Sequence, residues 1–170
     1  MIKNDKIENF FVILISLVPL LLVTGPFLPD LVIVLSCLYF IYFTLKNKLL
    51  SEFKNRFFII FFIFWIYLIF NSIVTDNTYH SLKSSLPFIR FGIFFVFIYY
   101  LLKQNNNFKK ILFFVFSLVL VSLFIDGIIQ YFFGTNIFGM PKPLVGRVSS
   151  FFGEESKMGS FIARYLPFYF

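Results

Sequence analysis

The side chains best suited to hold an anion stand after the last long apolar run. Arg147 follows Gly146 and is followed by Ser149 and Ser150. A guanidinium there stays charged at any relevant pH and can grip a phosphate through two parallel hydrogen bonds, with hydroxyls at hand. The competing reading makes Arg147 an anchor at headgroup level. Lys142, between Pro141 and Pro143, and Arg164 further on would add positive potential. Lys142 reads more simply as a solvated loop charge, and Arg164 equally as the buried partner of an acid. Glu154 and Glu155 can be read as a general-base pair. Sequence neighbours on a helix point about 100° apart and do not flank one bond, so a helix first turn suits them better.

Two further ionisable residues interrupt apolar runs, where each carries a cost and calls for a reason. Arg90 lies about 6 Å and Asp126 about 10 Å below one membrane surface, at 1.5 Å of rise per residue. They are expected to pair with one another, or Arg90 to snorkel toward headgroups. The functional alternative has Arg90 face an outward-opening cavity that receives an anionic lipid headgroup.

The elements that must position these residues are membrane helices. Apolar residues make up 59% of the 170 and charged ones 14%. Soluble domains carry roughly 45–50% and about 25%, so the chain belongs with integral membrane proteins and has lipid as its first partner. The thirty Phe are a compositional choice of apolar filler rather than an aromatic cage. The net charge of +7 sits in short loops between apolar runs, which encodes topology and not a nucleic-acid face. The single Cys37 excludes an internal disulfide, and with His80 the only histidine no cysteine- or histidine-rich metal site can form. Neither a phosphate-binding glycine loop nor a dinucleotide fingerprint is present, so no cofactor and no metal is expected.

The pattern predicts an all-α, polytopic transmembrane helical bundle of five spans plus the start of a sixth. Residues 1–133 form the membrane region, 134–157 an external loop, and 158–170 the opening of the sixth span. The first run, Phe10 to Val23, resembles a secretory signal, but Asp5 and Glu8 precede it and Pro19 interrupts it, so it is read as retained. Thr24 to Asp30 reads as a tight turn with Asp30 capping the next helix. The second span covers about Leu31 to Leu45, short of the roughly 20 residues a bilayer needs. Phe57 to Val74 is the clearest span, Thr75 to Ser85 a polar turn, Leu86 to Leu102 the fourth span, and Ile111 to Phe133 the fifth. Met158 to Phe170 ends on Leu166-Pro167-Phe168-Tyr169-Phe170, which reads as a fragment's end, the alternative being a complete protein with a re-entrant or half-spanning end.

Loop charge fixes the orientation. Lys3, Lys6, Lys46, Lys48, Lys54, Arg56, Lys103, Lys109 and Lys110 lie on the side of the N-terminus, against Lys83 alone in the first two opposite loops. That asymmetry places the N-terminus in the cytoplasm and, after five crossings, residues 134–156 on the outer face.

Three stretches carry a family resemblance: Asp126-Gly127-Ile128-Ile129-Gln130-Tyr131-Phe132-Phe133-Gly134-Thr135-Asn136, then Gly146-Arg147-Val148-Ser149-Ser150-Phe151-Phe152-Gly153-Glu154-Glu155, then Gly159-Ser160-Phe161-Ile162-Ala163-Arg164-Tyr165-Leu166-Pro167. Together they resemble the O-antigen ligase and O-antigen polymerase family, from about Asp126 to Pro167 by motif and upstream by the spacing of spans. The resemblance implies a multi-pass glycosyltransferase of the bacterial inner membrane, active in lipopolysaccharide and polysaccharide biosynthesis. Its donor would be an undecaprenyl-diphosphate-linked glycan, and its acceptor lipid A core or a growing glycan chain. External arginines would bind the diphosphate: Arg147 matches the family position, with Arg164 and Arg90 as further basic candidates. No position in the chain corresponds to the histidine that the ligases carry in a later external loop. The alternative class is a non-catalytic multi-span protein or a transporter subunit, in which Asp126 and Arg90 are structural or line a permeation path.

Overall fold

The computed structural model describes residues 5–143, 147–153 and 157–165; at 5–8 and 106 it describes the backbone alone. Among these residues there is no β-strand; an isolated antiparallel bridge joins Thr135 and Pro141. Eight α-helices follow in order: α1 Asp5–Ser16, α2 Val18–Thr24, α3 Phe27–Lys46, α4 Arg56–Val74, α5 Thr78–Ser85, α6 Ile89–Gln104, α7 Asn106–Phe133 and α8 Met158–Tyr165. Four helical stretches are long and apolar enough to cross a bilayer: Phe27–Lys46, Arg56–Val74, Thr78–Gln104 and Asn107–Phe133. The chain is thus an all-α protein with the helices of a multi-pass membrane protein.

The spans differ from the sequence reading in ways that have local causes. α3 starts at Phe27 rather than Leu31, because Pro29 falls in the first turn, where a missing N–H costs nothing. Its 20 residues rise about 30 Å, which removes the expected shortfall. The N-terminal apolar run is broken into α1, of 12 residues, and α2, of 7, with Pro19 in the opening turn of α2. Residues 75–85, expected as a turn, contain the polar helix α5, which runs through a 3-10 turn at Leu86–Phe88 into α6. The indole Nε1 of Trp65 donates to the Ser85 carbonyl at 2.9 Å, and the hydroxyls of Ser72 and Ser85 are hydrogen-bonded. The last predicted segment is helical from Met158 to Tyr165; residues 166–170 lie outside the described ones.

The chain divides into two compact units. The first comprises residues 1–15 and 30–108. Its core is aromatic: Phe11 stacks on Tyr39 at 4.1 Å, and Phe40 on Phe97 at 4.8 Å, with Val96 and Leu101 wholly buried beside them. Asp30 and Arg90 meet near the starts of α3 and α6, whereas Glu52 and Lys103 meet near their far ends. α3 and α6 therefore run in the same direction, as two crossings separated by one other must. α4 buries little of itself, and Phe57, Ile63, Tyr67 and Phe70 are all more than half exposed, a surface suited to hydrocarbon rather than water.

Gly92 lets α4 approach α6. A Cβ there would overlap the ring of Phe61 and touch that of Phe58 at 3.4 Å. Gly92→Ala is accordingly expected to cost about 1–3 kcal/mol of packing. Thermal unfolding in detergent checks this, and an unchanged midpoint would mean the Phe61 ring swings away freely.

The second unit comprises residues 16–29 and 109–170. Val119, Leu123 and Met158 centre its core, covered by Val23, Val115, Val148, Phe151, Phe152, Phe161 and Ile162. α8 nests against α7 at Gly127, where a Cβ would lie 2.7 Å from the Met158 methyl.

Candidate functional site

The site is built on the last two turns of α7. Asp126 and Gln130 are one helical turn apart, so they share a face, and both are wholly buried. α7 ends where Gly134 takes a φ of 82°, its N–H still bonded to the Gln130 carbonyl at 3.0 Å. That conformation favours glycine and turns the chain back over the helix end.

A small hairpin follows. Thr135 pairs with Pro141, the Asn136 amide donates to the Met140 carbonyl at 2.9 Å, and Asn136 Oδ1 accepts from the amides of Phe138 at 3.0 Å and Met140 at 2.7 Å. Asn is a turn former for this reason: its side chain replaces a missing backbone acceptor. Lys142, expected as a solvated charge, donates from Nζ to the Tyr131 carbonyl at 2.6 Å and lies 5.1 Å from that residue's ring centroid. A cation at the last turn of a helix offsets the negative end of its dipole.

The buried acid and amide then hold the two loop segments together. Asp126 accepts the Ile137 amide at 2.8 Å through Oδ1 and the Ser150 hydroxyl at 2.6 Å through Oδ2. Gln130 Oε1 accepts the amides of both Ser149 and Ser150 at 2.8 Å, while its Nε2 reaches the Ser149 Oγ at 3.3 Å. Asn136 Nδ2 closes the ring on the Ser150 carbonyl at 3.0 Å. Ser150 is held at a φ of 51°, left-handed for a residue with a side chain, and this ring of bonds over-determines it.

Against this geometry the expected site separates. Arg147 is exposed, immediately before the pinned Ser149–Ser150 segment. The two serine hydroxyls are turned inward and wholly buried, so they are not available to a ligand beside Arg147. The two members of the expected Arg90–Asp126 pair belong to different units, and each has a partner within its own. Within the second unit each Asp126 oxygen accepts from a loop donor, and within the first Arg90 Nη2 pairs with Asp30 Oδ1 at 2.8 Å. Asp30 is therefore an ion-pair partner within α3 rather than a cap ahead of it. The Arg90 guanidinium lies 5.1 Å from the Phe91 ring centroid, and its Nε has no hydrogen-bond partner among the described residues. Glu154 and Glu155 lie outside the described residues.

Arg164 lines a groove of about 970 Å³ within the second unit. Lys157, Ser160 and Tyr165 share its wall with Val23 and Phe152. Arg147 is not among the residues that line it. Among the described residues no group of three His, Cys, Asp or Glu is placed to hold a metal.

Sequence reasoning gave no role to Gln130, Asn136 or Lys157. The available signal was Asp126 and Gln130 at a spacing of four, two polar residues on one face of an otherwise apolar run. A second signal was the acid Asp30 at the start of one span and the base Arg90 near the start of a span running the same way. The helices define a multi-pass membrane protein with a hydrogen-bonded cap on its longest span. No protein-family model, no curated protein and no solved structure matches the chain.

Proposed function

We propose that the chain is part of a bacterial inner-membrane glycosyltransferase of the O-antigen ligase or polymerase type. It moves a glycan from an undecaprenyl-diphosphate carrier onto lipid A core or onto a growing chain. The observation that carries this reading is an exposed Arg147 on a backbone locked to the end of the longest span by Gln130 and Asp126. A guanidinium held so needs little reorganisation to meet a diphosphate. As the acceptor hydroxyl oxygen bonds to the anomeric carbon, the bond from that carbon to the diphosphate oxygen breaks. Arg147 then bears the charge left on the diphosphate. The proton of the acceptor hydroxyl goes to a base that residues 1–170 do not identify. Arg90, already bound to Asp30, serves structure in this scheme.

The same reading makes α1 and α2 together the first of five crossings from a cytoplasmic N-terminus, with α8 opening a sixth. The cap then lies on the outer face, where the carrier presents its glycan. The loop charges support this orientation.

Transfer in proteoliposomes holding the full gene product, a carrier-linked glycan and lipid A core tests the activity. Release of carrier diphosphate in step with glycosylated acceptor is expected; its absence would leave the class without support. Sidedness is read at Phe138→Cys, because Phe138 is 72% exposed whereas Ser149 is wholly buried. An impermeant thiol reagent should modify it in intact spheroplasts. Modification only after lysis would invert the topology and remove the proposed function.

A further inference from the structure

The hairpin after α7 runs back along the helix it came from. Gly134 reverses the chain, and three residues later the Ile137 amide reaches Asp126 Oδ1 at 2.8 Å. Asp126 stands seven residues before Phe133, so the chain has retreated about 10 Å along the axis, a distance that three extended residues cover. It then climbs again. The Lys142 amide returns to the Gly134 carbonyl at 3.1 Å, and Lys142 Nζ to the Tyr131 carbonyl at 2.6 Å.

α7 itself sets the depth of this excursion. Lys109 and Lys110 are exposed cations near its start and belong at headgroup level. About 30 Å of hydrocarbon counted from Ile111, at 1.5 Å per residue, ends near Tyr131. Tyr131 is 59% exposed and carries the Lys142 ammonium on its carbonyl, an aromatic and a cation of the kind that mark the interface. Asp126 and the Ile137 amide therefore lie roughly 7 Å inside that boundary. At their level α7 exposes Phe124, Ile125 and Ile128, all apolar.

The hairpin is made for that depth. Ile137, Phe138 and Met140 are exposed, and residues 134–141 carry no charge. Every amide from 136 to 140 has an acceptor within the second unit. Asn136 donates to the Met140 carbonyl, Ile137 to Asp126, Gly139 to the Asn136 carbonyl, and Phe138 and Met140 to Asn136 Oδ1. Pro141 has no amide to satisfy. Amides are the costlier backbone groups to strand, and in hydrocarbon no water replaces a missing partner.

We propose that residues 134–142 form a re-entrant hairpin whose tip, from Ile137 to Met140, lies among the lipid acyl chains of one leaflet beside α7. The hairpin also explains how Asp126 is tolerated below the interface: it brings a backbone donor to the carboxylate and covers it from lipid. The placement depends on neither Arg147 nor the transfer reaction. Phe138→Cys is still reached only from the face on which Gly134 and Lys142 lie, more slowly than a headgroup-level thiol, so it continues to report sidedness.

Spin labels on Ile137→Cys and Phe138→Cys in proteoliposomes of the full chain test the depth, with exposed Asp76→Cys as the aqueous reference. Cys37→Ala removes the other thiol of these 170 residues. Molecular oxygen concentrates in hydrocarbon and a neutral nickel chelate in water, so their collision rates with a label read its surroundings. Oxygen should exceed the chelate severalfold at 137 and 138, and the order should reverse at 76. Chelate in excess at 137 and 138 would place the hairpin in water. Low collision with both reagents would mean that protein covers it, and either result overturns the proposal. Both reagents are supplied on both sides, so the depth stands even where the transfer assay fails.

Discussion

Gln130→Leu is expected to release the loop that carries Arg147. The side-chain oxygen of Gln130 is the acceptor for the amides of Ser149 and Ser150, both at 2.8 Å and both buried. Leucine matches the volume but accepts nothing, so two amides lose their partner away from water. Each such loss costs about 1–3 kcal/mol, enough to open a short loop. Hydrogen exchange at 149 and 150 should rise to the rate of an open loop, and proteolysis should appear between residues 134 and 153. Gln130→Glu keeps the acceptor for those amides and gives up the Nε2 donor, so protection should fall less. Full protection in the leucine variant would mean that Asp126 and Asn136 hold the loop alone. Asp126→Leu attacks the same ring of bonds, and the two changes together should cost less than their sum.

Arg147→Ala should act on chemistry and leave the fold in place. The side chain is exposed, so its removal leaves no buried partner stranded. If Arg147 bears charge on the departing diphosphate, its loss should lower transfer by about 100- to 1,000-fold, as for removal of a single stabilising donor elsewhere. Arg147→Lys keeps the charge without the two-pronged geometry and should recover part of the rate. Membrane abundance and the proteolytic pattern should match wild type. That match separates it from Gln130→Leu, which is expected to lower transfer by disordering the same loop. Unchanged transfer in Arg147→Ala would remove this residue from the mechanism.

The membrane class was legible because an uncharged apolar run of about twenty residues is the length that crosses hydrocarbon, and water-soluble folds rarely hold one. Phe57 to Val74 corresponds to α4 within a residue. Charge asymmetry suggested which loops share a side, and the Lys103–Glu52 ion pair joins two of those loops at one end of the first unit. Helix α5 was missed because its residues, TYHSLKSS, carry no apolar period. What makes it helical is partly tertiary: Trp65 and Ser72 on α4 supply partners for Ser85, and no local pattern reveals that. The break between α1 and α2 was half visible in Pro19, which disfavours continuation from the preceding turn. Arg147 was found by residue type. The inward turn of Ser149 and Ser150 was not, since a hydroxyl beside an arginine looks the same in sequence whether it faces ligand or a buried carboxylate.

The ring of bonds closing over α7 is contained in one stretch of chain. Its longest reach, from Ser150 back to Asp126, is 24 residues, and every other member lies between them. Contacts so near in sequence need little loop closure and form early. During synthesis the cap can thus lock as soon as Ser150 is free to move, before α8 finds its place against Gly127. The chain would then make its platform first and lay the helix that borders the groove onto it afterwards; exchange protection at 149 and 150 in a fragment ending at residue 153 would show it.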